Sequence, residues 1–176
     1  DARSALARSS IWVGYRRYLE LLEGIRRCDQ VRLDGELTHE RERCIQALEL
    51  ASQGAIVSLV SSGDSGIYGM AGLALELLLE KPKKERPRFE VHPGISAIQM
   101  ASSRLGAILM DDFCTISLSD CLTSWKTIKE RLLFAAKGDF VVALYNPKSK
   151  ERDWQLIFAI ELLKHYRSQE TPVLFA

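Results

Sequence analysis

The chain has 176 residues, 47% of them hydrophobic and 27% charged, and a formal net charge of +1. That balance supports a packed core and excludes a disordered chain; it also excludes a global electrostatic pull toward nucleic acid or a membrane surface. No apolar run approaches the roughly 20 residues of a membrane span, and the start is not signal-like.

Elements alternate along the chain. Asp1 to Ser10 reads as a helix end, and Ile11 to Gly14 as a short strand. Tyr15, Tyr18, Leu19, Leu22 and Ile25 recur at helical spacing, and Gln30 to Leu33 reads as a strand. Thr38 is the expected N-cap of the next helix, with Glu40 in its first turn, Cys44, Ile45, Leu48 and Ala51 on its buried face, and Gly54 at its stop. Ala55 to Val60 is a continuous apolar run, which predicts a strand buried on both faces of a parallel sheet. A Gly-rich loop, Ser61 to Gly69, leads into a helix over Met70 to Glu80. Lys81 to Pro87 is charged and reads as a solvated loop. Phe89 to Val91 is expected to be a strand, His92-Pro93-Gly94 a turn, and Ser96 the cap of a helix ending at Leu105.

Gly106 to Asp112 loses periodicity and reads as an extended join between two domains, residues 1–110 and 111–176. The pattern restarts with a strand at Phe113 to Ser117. A helix face follows at Trp125, Ile128, Leu132 and Ala135, then a strand at Asp139 to Tyr145, a helix at Arg152 to His165, and the start of a strand at Pro172 to Ala176. Strand–helix alternation throughout predicts two α/β domains with mainly parallel sheets and right-handed crossovers. The start at Asp1 and the stop in a strand-like run suggest that both termini are incomplete.

Cys28, Cys44, Cys114 and Cys121 form no CxxC pair, and His39, His92 and His165 are scattered. No metal site is expected; free thiols in a reducing cytoplasm are. No Ser/His/Asp or Cys/His constellation has workable spacing either.

Four strand ends carry small or polar residues that a core does not need. In open α/β sheets such ends collect ligands. Ser61-Ser62-Gly63-Asp64-Ser65-Gly66-Ile67-Tyr68-Gly69 lacks the Gly-Lys-Ser/Thr ending of a P-loop and is not GxGxxG. Its glycines let a ligand approach the backbone. Asp64 suits a ribose hydroxyl or a cationic sulfonium, or it caps a tight turn. In Pro93-Gly94-Ile95-Ser96-Ala97, Ser96 and the following amides suit a carboxylate or an adenine edge, or simply cap a helix. Ser117, Ser119 and Asp120 follow the third such strand, and Tyr145-Asn146-Pro147 the fourth, where Asn-Pro is also a turn signal.

These pieces resemble the tetrapyrrole methylases. Ser62 to Tyr68 is similar to the family's Gly-Asp-Pro-x-x-Tyr/Phe loop, with Ser65 where Pro is commoner, and Pro93 to Ala97 to its Pro-Gly-x-Ser/Thr-Ala turn. Asp112-Phe113-Cys114, Ile116 to Asp120, Trp125, Arg131-Leu132, Asp139 to Val141, Tyr145 to Pro147 and Arg152 resemble the branch that methylates C-17 of precorrin-3B in cobalamin synthesis. The likeness runs over essentially the whole chain. The family's first strand with its Gly-x-Gly-Pro-Gly loop, and its last strands, have no counterpart here.

The resemblance implies a two-domain enzyme with S-adenosyl-L-methionine in the cleft between the domains. Cofactor contacts fall by position on Ser62, Gly63, Asp64, Ile67, Ser96, Ala97 and Asn146. The implied reaction methylates C-17 of precorrin-3B or its cobalt-loaded form, with contraction of the macrocycle. Ser119 and Asp120 are the candidate catalytic residues, and Lys126, Arg131, Lys148 and Arg152 the candidate partners for the substrate's carboxylates. A homodimer is also implied. Another tetrapyrrole methylase, or a non-catalytic module that binds S-adenosylmethionine or a tetrapyrrole, is the alternative.

Overall fold

The computed structural model describes residues 1–106, 108–149 and 152–175. The chain forms two compact units, Asp1–Ser96 and Ala97–Ala176.

The first unit is a three-stranded parallel sheet, ordered β2-β1-β3, with β1 (Ile11–Tyr15) in the middle, β2 (Val31–Gly35) and β3 (Val57–Val60) at its edges. Four helices belong to this unit: α1 (Ala2–Arg8), α2 (Arg16–Glu20), α3 (Glu40–Ser52) and α4 (Ala71–Glu80). Trp12 and Val13 on the central strand are fully buried. Of the run from Ala55 to Val60, Val57 to Val60 form a parallel strand, which lies at an edge of the sheet among the described residues and is only half-buried, while Ile56 is exposed. Hydrophobicity alone could not tell an edge from a centre.

The helix expected from Tyr15 to Ile25 breaks after Glu20. Tighter turns follow, with Leu22 N–H donating to Leu19 and Ile25 N–H to Leu22, in a stretch where Gly24 weakens an α-helix. Thr38 is not the cap of α3. It has φ +70° and its hydroxyl donates to the Leu37 carbonyl at 2.5 Å, and His39 occupies the cap position without a side-chain bond. The other end is as expected. Gly54 has φ +93°, Gly54 N–H donates to the Ala51 carbonyl and Ala55 N–H to the Leu50 carbonyl. That is a Schellman closure, in which the left-handed residue favours glycine.

Cys44 and Leu48 pack against Met70, which precedes α4, and Ala74, Leu77 and Leu78 within it, with Leu59 and Phe89 alongside. Ile45 is exposed, Ala51 is half-buried, and Ala47 takes the expected place in the core. The surprise on this face is Arg43, buried because its guanidinium pairs with Glu40 and donates to the Glu36 carbonyl. Phe89 to Val91 is not a strand. It forms no ladder among the described residues, and a strand is defined by its partner as much as by its side chains.

The second unit contains α5 (Ala97–Leu105) and a parallel pair, β4 (Phe113–Ser117) and β5 (Val141–Tyr145), joined through α6 (Trp125–Lys137) and followed by α7 (Trp154–Lys164). Phe113 lies opposite Val141 and Ser117 opposite Tyr145. Ser124 caps α6, its hydroxyl accepting from Thr127 N–H at 3.2 Å. Ile116, Leu118, Ile128, Leu132, Ala135 and Ala159 make the core. Beside it Trp125 meets Trp154 and Phe158 edge to face at 4.8 and 5.4 Å. Gly106, at φ +87°, ends α5 and the chain turns at Ile108 to Met110 instead of running extended; Ala107 lies outside the described residues. Thr171 to Phe175 form no strand either, and Ala176, the last residue expected in one, lies outside the described residues. Among the described residues no helix is long and apolar enough to cross a membrane.

Candidate functional site

Two groups of residues gather at the carboxyl ends of strands, one in each unit. The first follows β3. Its loop is folded by its own backbone: Ala71 N–H donates to the Ser65 carbonyl at 3.0 Å, and the Ser61 hydroxyl accepts from Met70 N–H at 3.3 Å. Gly69 is needed for this curl, because a Cβ there would lie 2.5 Å from the Ser65 carbonyl oxygen.

Asp64 joins the loop to the turn at Pro93. Its Oδ1 accepts from Gly66 N–H at 2.8 Å and its Oδ2 from Gly94 N–H at 2.9 Å. The Gly94 amide, then the Gly66 amide, hold its carboxyl below the ordinary range. The two backbones touch here, and a Cβ on Gly94 would come within 2.1 Å of the Gly63 carbonyl oxygen. Gly63 itself has φ +66°. Ser62, Gly63 and Ile67 are exposed beside this brace, whereas Ser96 is buried and Ala97 begins α5. The structure thus brings Gly63 and Asp64 against the Gly94–Ser96 segment, with Ser62 next to them in sequence.

The second group follows β4 and β5. The Ser117 hydroxyl accepts from Ser119 N–H at 3.2 Å and from Asn146 Nδ2 at 3.0 Å. Asn146 has φ +49°, a conformation asparagine tolerates, and its carbonyl accepts from Arg152 Nη1 at 2.7 Å. Arg152 Nε also lies 3.8 Å from Asp120 Oδ1, and Gln155 Nε2 lies 3.5 Å from Asp120 Oδ2. The Tyr145 hydroxyl accepts from Ile98 N–H at 3.0 Å, which ties β5 to the first turn of α5. Ser117, Ser119, Asp120, Asn146 and Arg152 are therefore one cluster. Lys126, Arg131 and Lys148 are exposed and outside it.

Sequence reasoning missed Gln155. The signal was present: it lies four residues before the buried Ala159, a polar side chain on the buried stripe of α7. The reading also treated Asp64 as a ligand contact or a local cap, without its bond to Gly94, thirty residues away.

The cysteines are all free. Burial raises the Cys44 thiol to about 11 and moves Cys114 in the same direction, which disfavours the reactive thiolate at both. Among the described residues no three His, Cys, Asp or Glu side chains gather as a metal site. The surface hollows beside Arg41 and Leu77 and beside Lys84 and Pro87 include none of the residues above.

The pattern of the tetrapyrrole (corrin/porphyrin) methylases matches residues 1–176. The chain is a member of that family. It is 48% identical over 174 residues to the cobalt-factor III methyltransferase of Priestia megaterium, covering 98% of this chain and 32% of that protein. To the probable cobalt-factor III C(17)-methyltransferase of Salmonella typhimurium it is 46% identical, with 98% and 70% covered. To the precorrin-3B C(17)-methyltransferase of a Sinorhizobium species it is 39% identical, with 99% and 68% covered. A crystal structure of the methyltransferase CobJ superposes with a TM-score of 0.87 at 36% identity, over 94% of this chain and 68% of that one. This tetrapyrrole methylase therefore spans about a third of the first relative and about seven tenths of the others.

Proposed function

We propose that this tetrapyrrole methylase transfers a methyl group from S-adenosyl-L-methionine to C-17 of a corrin precursor, either precorrin-3B or its cobalt-loaded counterpart, with contraction of the ring. The carrying observation is the match, over nearly all of this chain, to two proteins named as C(17)-methyltransferases.

The loop after β3 suits the donor. It offers exposed backbone at Ser62 and Gly63 and an apolar side chain at Ile67, which match the polar edges and the flat face of an adenosyl group. Ser62, Gly63, Asp64, Ile67, Ser96, Ala97 and Asn146 are its proposed contacts, with Asp64 acting chiefly by bracing the loop. Bound S-adenosylmethionine supplies a methyl group already activated on a sulfonium. The protein needs no nucleophile of its own; holding donor and acceptor in line and excluding water supply the acceleration. Ser119 and Asp120 would hold the tetrapyrrole, since they present a hydroxyl and a carboxylate at the strand edge. The protein would work in the cytoplasm, as a homodimer.

The test is transfer of labelled methyl from S-adenosylmethionine by the full-length protein, to metal-free and to cobalt-loaded precursor in parallel. Product methylated at C-17 from one of them is expected. Alanine at Ser119 or Asp120 should cut turnover at least several-fold for one of the two, while cofactor affinity and Tm stay near wild type. A mere turn would instead lose about 0.5–2 kcal/mol of stability and keep full turnover. Cofactor binding without transfer to either substrate would replace the proposal with a non-catalytic binding module.

A further inference from the structure

Gln155 is 2% exposed on α7. Its Nε2 reaches only Asp120, at the long distance of 3.5 Å, and its Oε1 has no partner among the described residues. The other buried glutamine of the fold shows what an amide does when it serves packing. Gln30 Nε2 donates to the Leu6 and Ser9 carbonyls at 2.7 and 2.6 Å, and its Oε1 accepts from Arg27 N–H at 2.9 Å. Gln30 is satisfied at both ends, and Gln155 is not. A buried amide oxygen without a donor destabilises a fold, and an apolar side chain of similar length would remove that cost. Packing therefore gives no reason for an amide at this position.

The reason lies at its other end. Asp120 is 38% exposed in its side chain, and Arg152, at 12%, faces its second oxygen without hydrogen-bond geometry, at 3.8 Å. The carboxylate also fixes which way the amide points, because the reverse orientation would set two acceptors against each other. Arg152 is in turn fixed by its 2.7 Å bond to the Asn146 carbonyl. Both contacts to Asp120 are long, so its lone pairs keep capacity for a further donor.

We infer that Gln155 is a positioning residue: it and Arg152 hold the Asp120 carboxylate at the carboxyl edge of β4 and β5, where that carboxylate accepts a hydrogen bond from an N–H or O–H group of the substrate. The inference rests on the proposed function. It also gives Arg152 a role different from the one expected, since its charge is spent inside the protein on Asp120 and not on a carboxylate of the tetrapyrrole.

The experiment compares wild type, Gln155→Met, Asp120→Asn and the double variant in the full-length protein, by thermal melt, by S-adenosylmethionine affinity and by methyl-transfer kinetics on the corrin precursor. Gln155→Met should melt at or above the wild-type temperature and bind the cofactor as wild type does. Its kcat/KM for the precursor should fall on the order of tenfold, the scale of one hydrogen bond to a charged group. In the Asp120→Asn background the same change should cost little, since Gln155 acts through that carboxylate. Gln155→Leu repeats the comparison should Met pack poorly. A lower Tm with unchanged kcat/KM overturns the inference, as does a full further loss in the double variant. Wild-type protein that transfers methyl to neither precursor overturns the functional reading itself, and this inference with it.

Discussion

Asp64 joins two loops through opposite oxygens of one carboxylate, to Gly66 and Gly94, and both bonds need the charged form. Its pKa is lowered in the fold, chiefly by the Gly94 amide. The stabilisation is thus complete above the unfolded carboxylate value of about 3.9 and is lost as pH falls through the lower folded one. We expect the melting temperature of Asp64→Asn to lie below wild type at neutral pH and the gap to close in acid, because an amide can accept at one of these positions only. A gap that is constant with pH would rule out the brace. Gly94→Ala attacks the same joint from the other side. The added Cβ would meet the Gly63 carbonyl oxygen at 2.1 Å, and one of two backbones must move. We expect a loss of about 1–3 kcal/mol or more, together with weakened S-adenosylmethionine binding, measured by chemical denaturation and calorimetry. Both residues stand out in the sequence as members of motifs. Their contact does not, because no local rule pairs positions thirty residues apart.

Among the elements, the second unit was the more legible. β4 was expected at Phe113 to Ser117 and is found there, and α6 presents Ile128, Leu132 and Ala135 as its spacing predicts. Period-3.6 apolar spacing reports a face directly. The failures share one cause: what they depend on is distant in sequence. Phe89 to Val91 has the composition of a strand but no ladder among the described residues, Val57 to Val60 are half-buried in a strand with one partner among the described residues, and Gln155 meets Asp120, thirty-five residues earlier. Leu132 tests how α6 holds its sheet. It is fully buried among Ile116, Leu118, Ile128 and Ala159, so Leu132→Ala should cost about 2–5 kcal/mol. Urea denaturation should read that loss as a lower midpoint with unchanged slope. A loss under about 1 kcal/mol would mean that this core is looser than the structure draws it.

For the molecule as a whole, the surface of α7 is one feature that packing among the described residues leaves unexplained. In the stretch from Tyr15 to Ile25, Leu19 is buried and Leu21 is the most exposed of the large apolar side chains. α7 differs, with Trp154, Ile157 and Phe158 at 48%, 64% and 36% exposed on one short run. Trp154 and Phe158 are held by their edge-to-face contacts with Trp125, so the aromatic surface is rigid. A rigid apolar patch loses little conformational entropy when a second surface covers it. Single exposed apolar side chains are ordinary, whereas contiguous ones mark interfaces, and a two-fold pairing would set the same patch against itself. We expect sedimentation velocity at micromolar concentration to give twice the mass of one chain. Ile157→Asp with Trp154→Asp should shift that species to half the mass, while stability falls only by about the 0.5–1.5 kcal/mol of the lost Trp154–Trp125 contact. A wild-type monomer would remove the dimer from the proposal; a dimer that survives both substitutions would move its interface away from α7, with the exposed Leu21 as the next position to change.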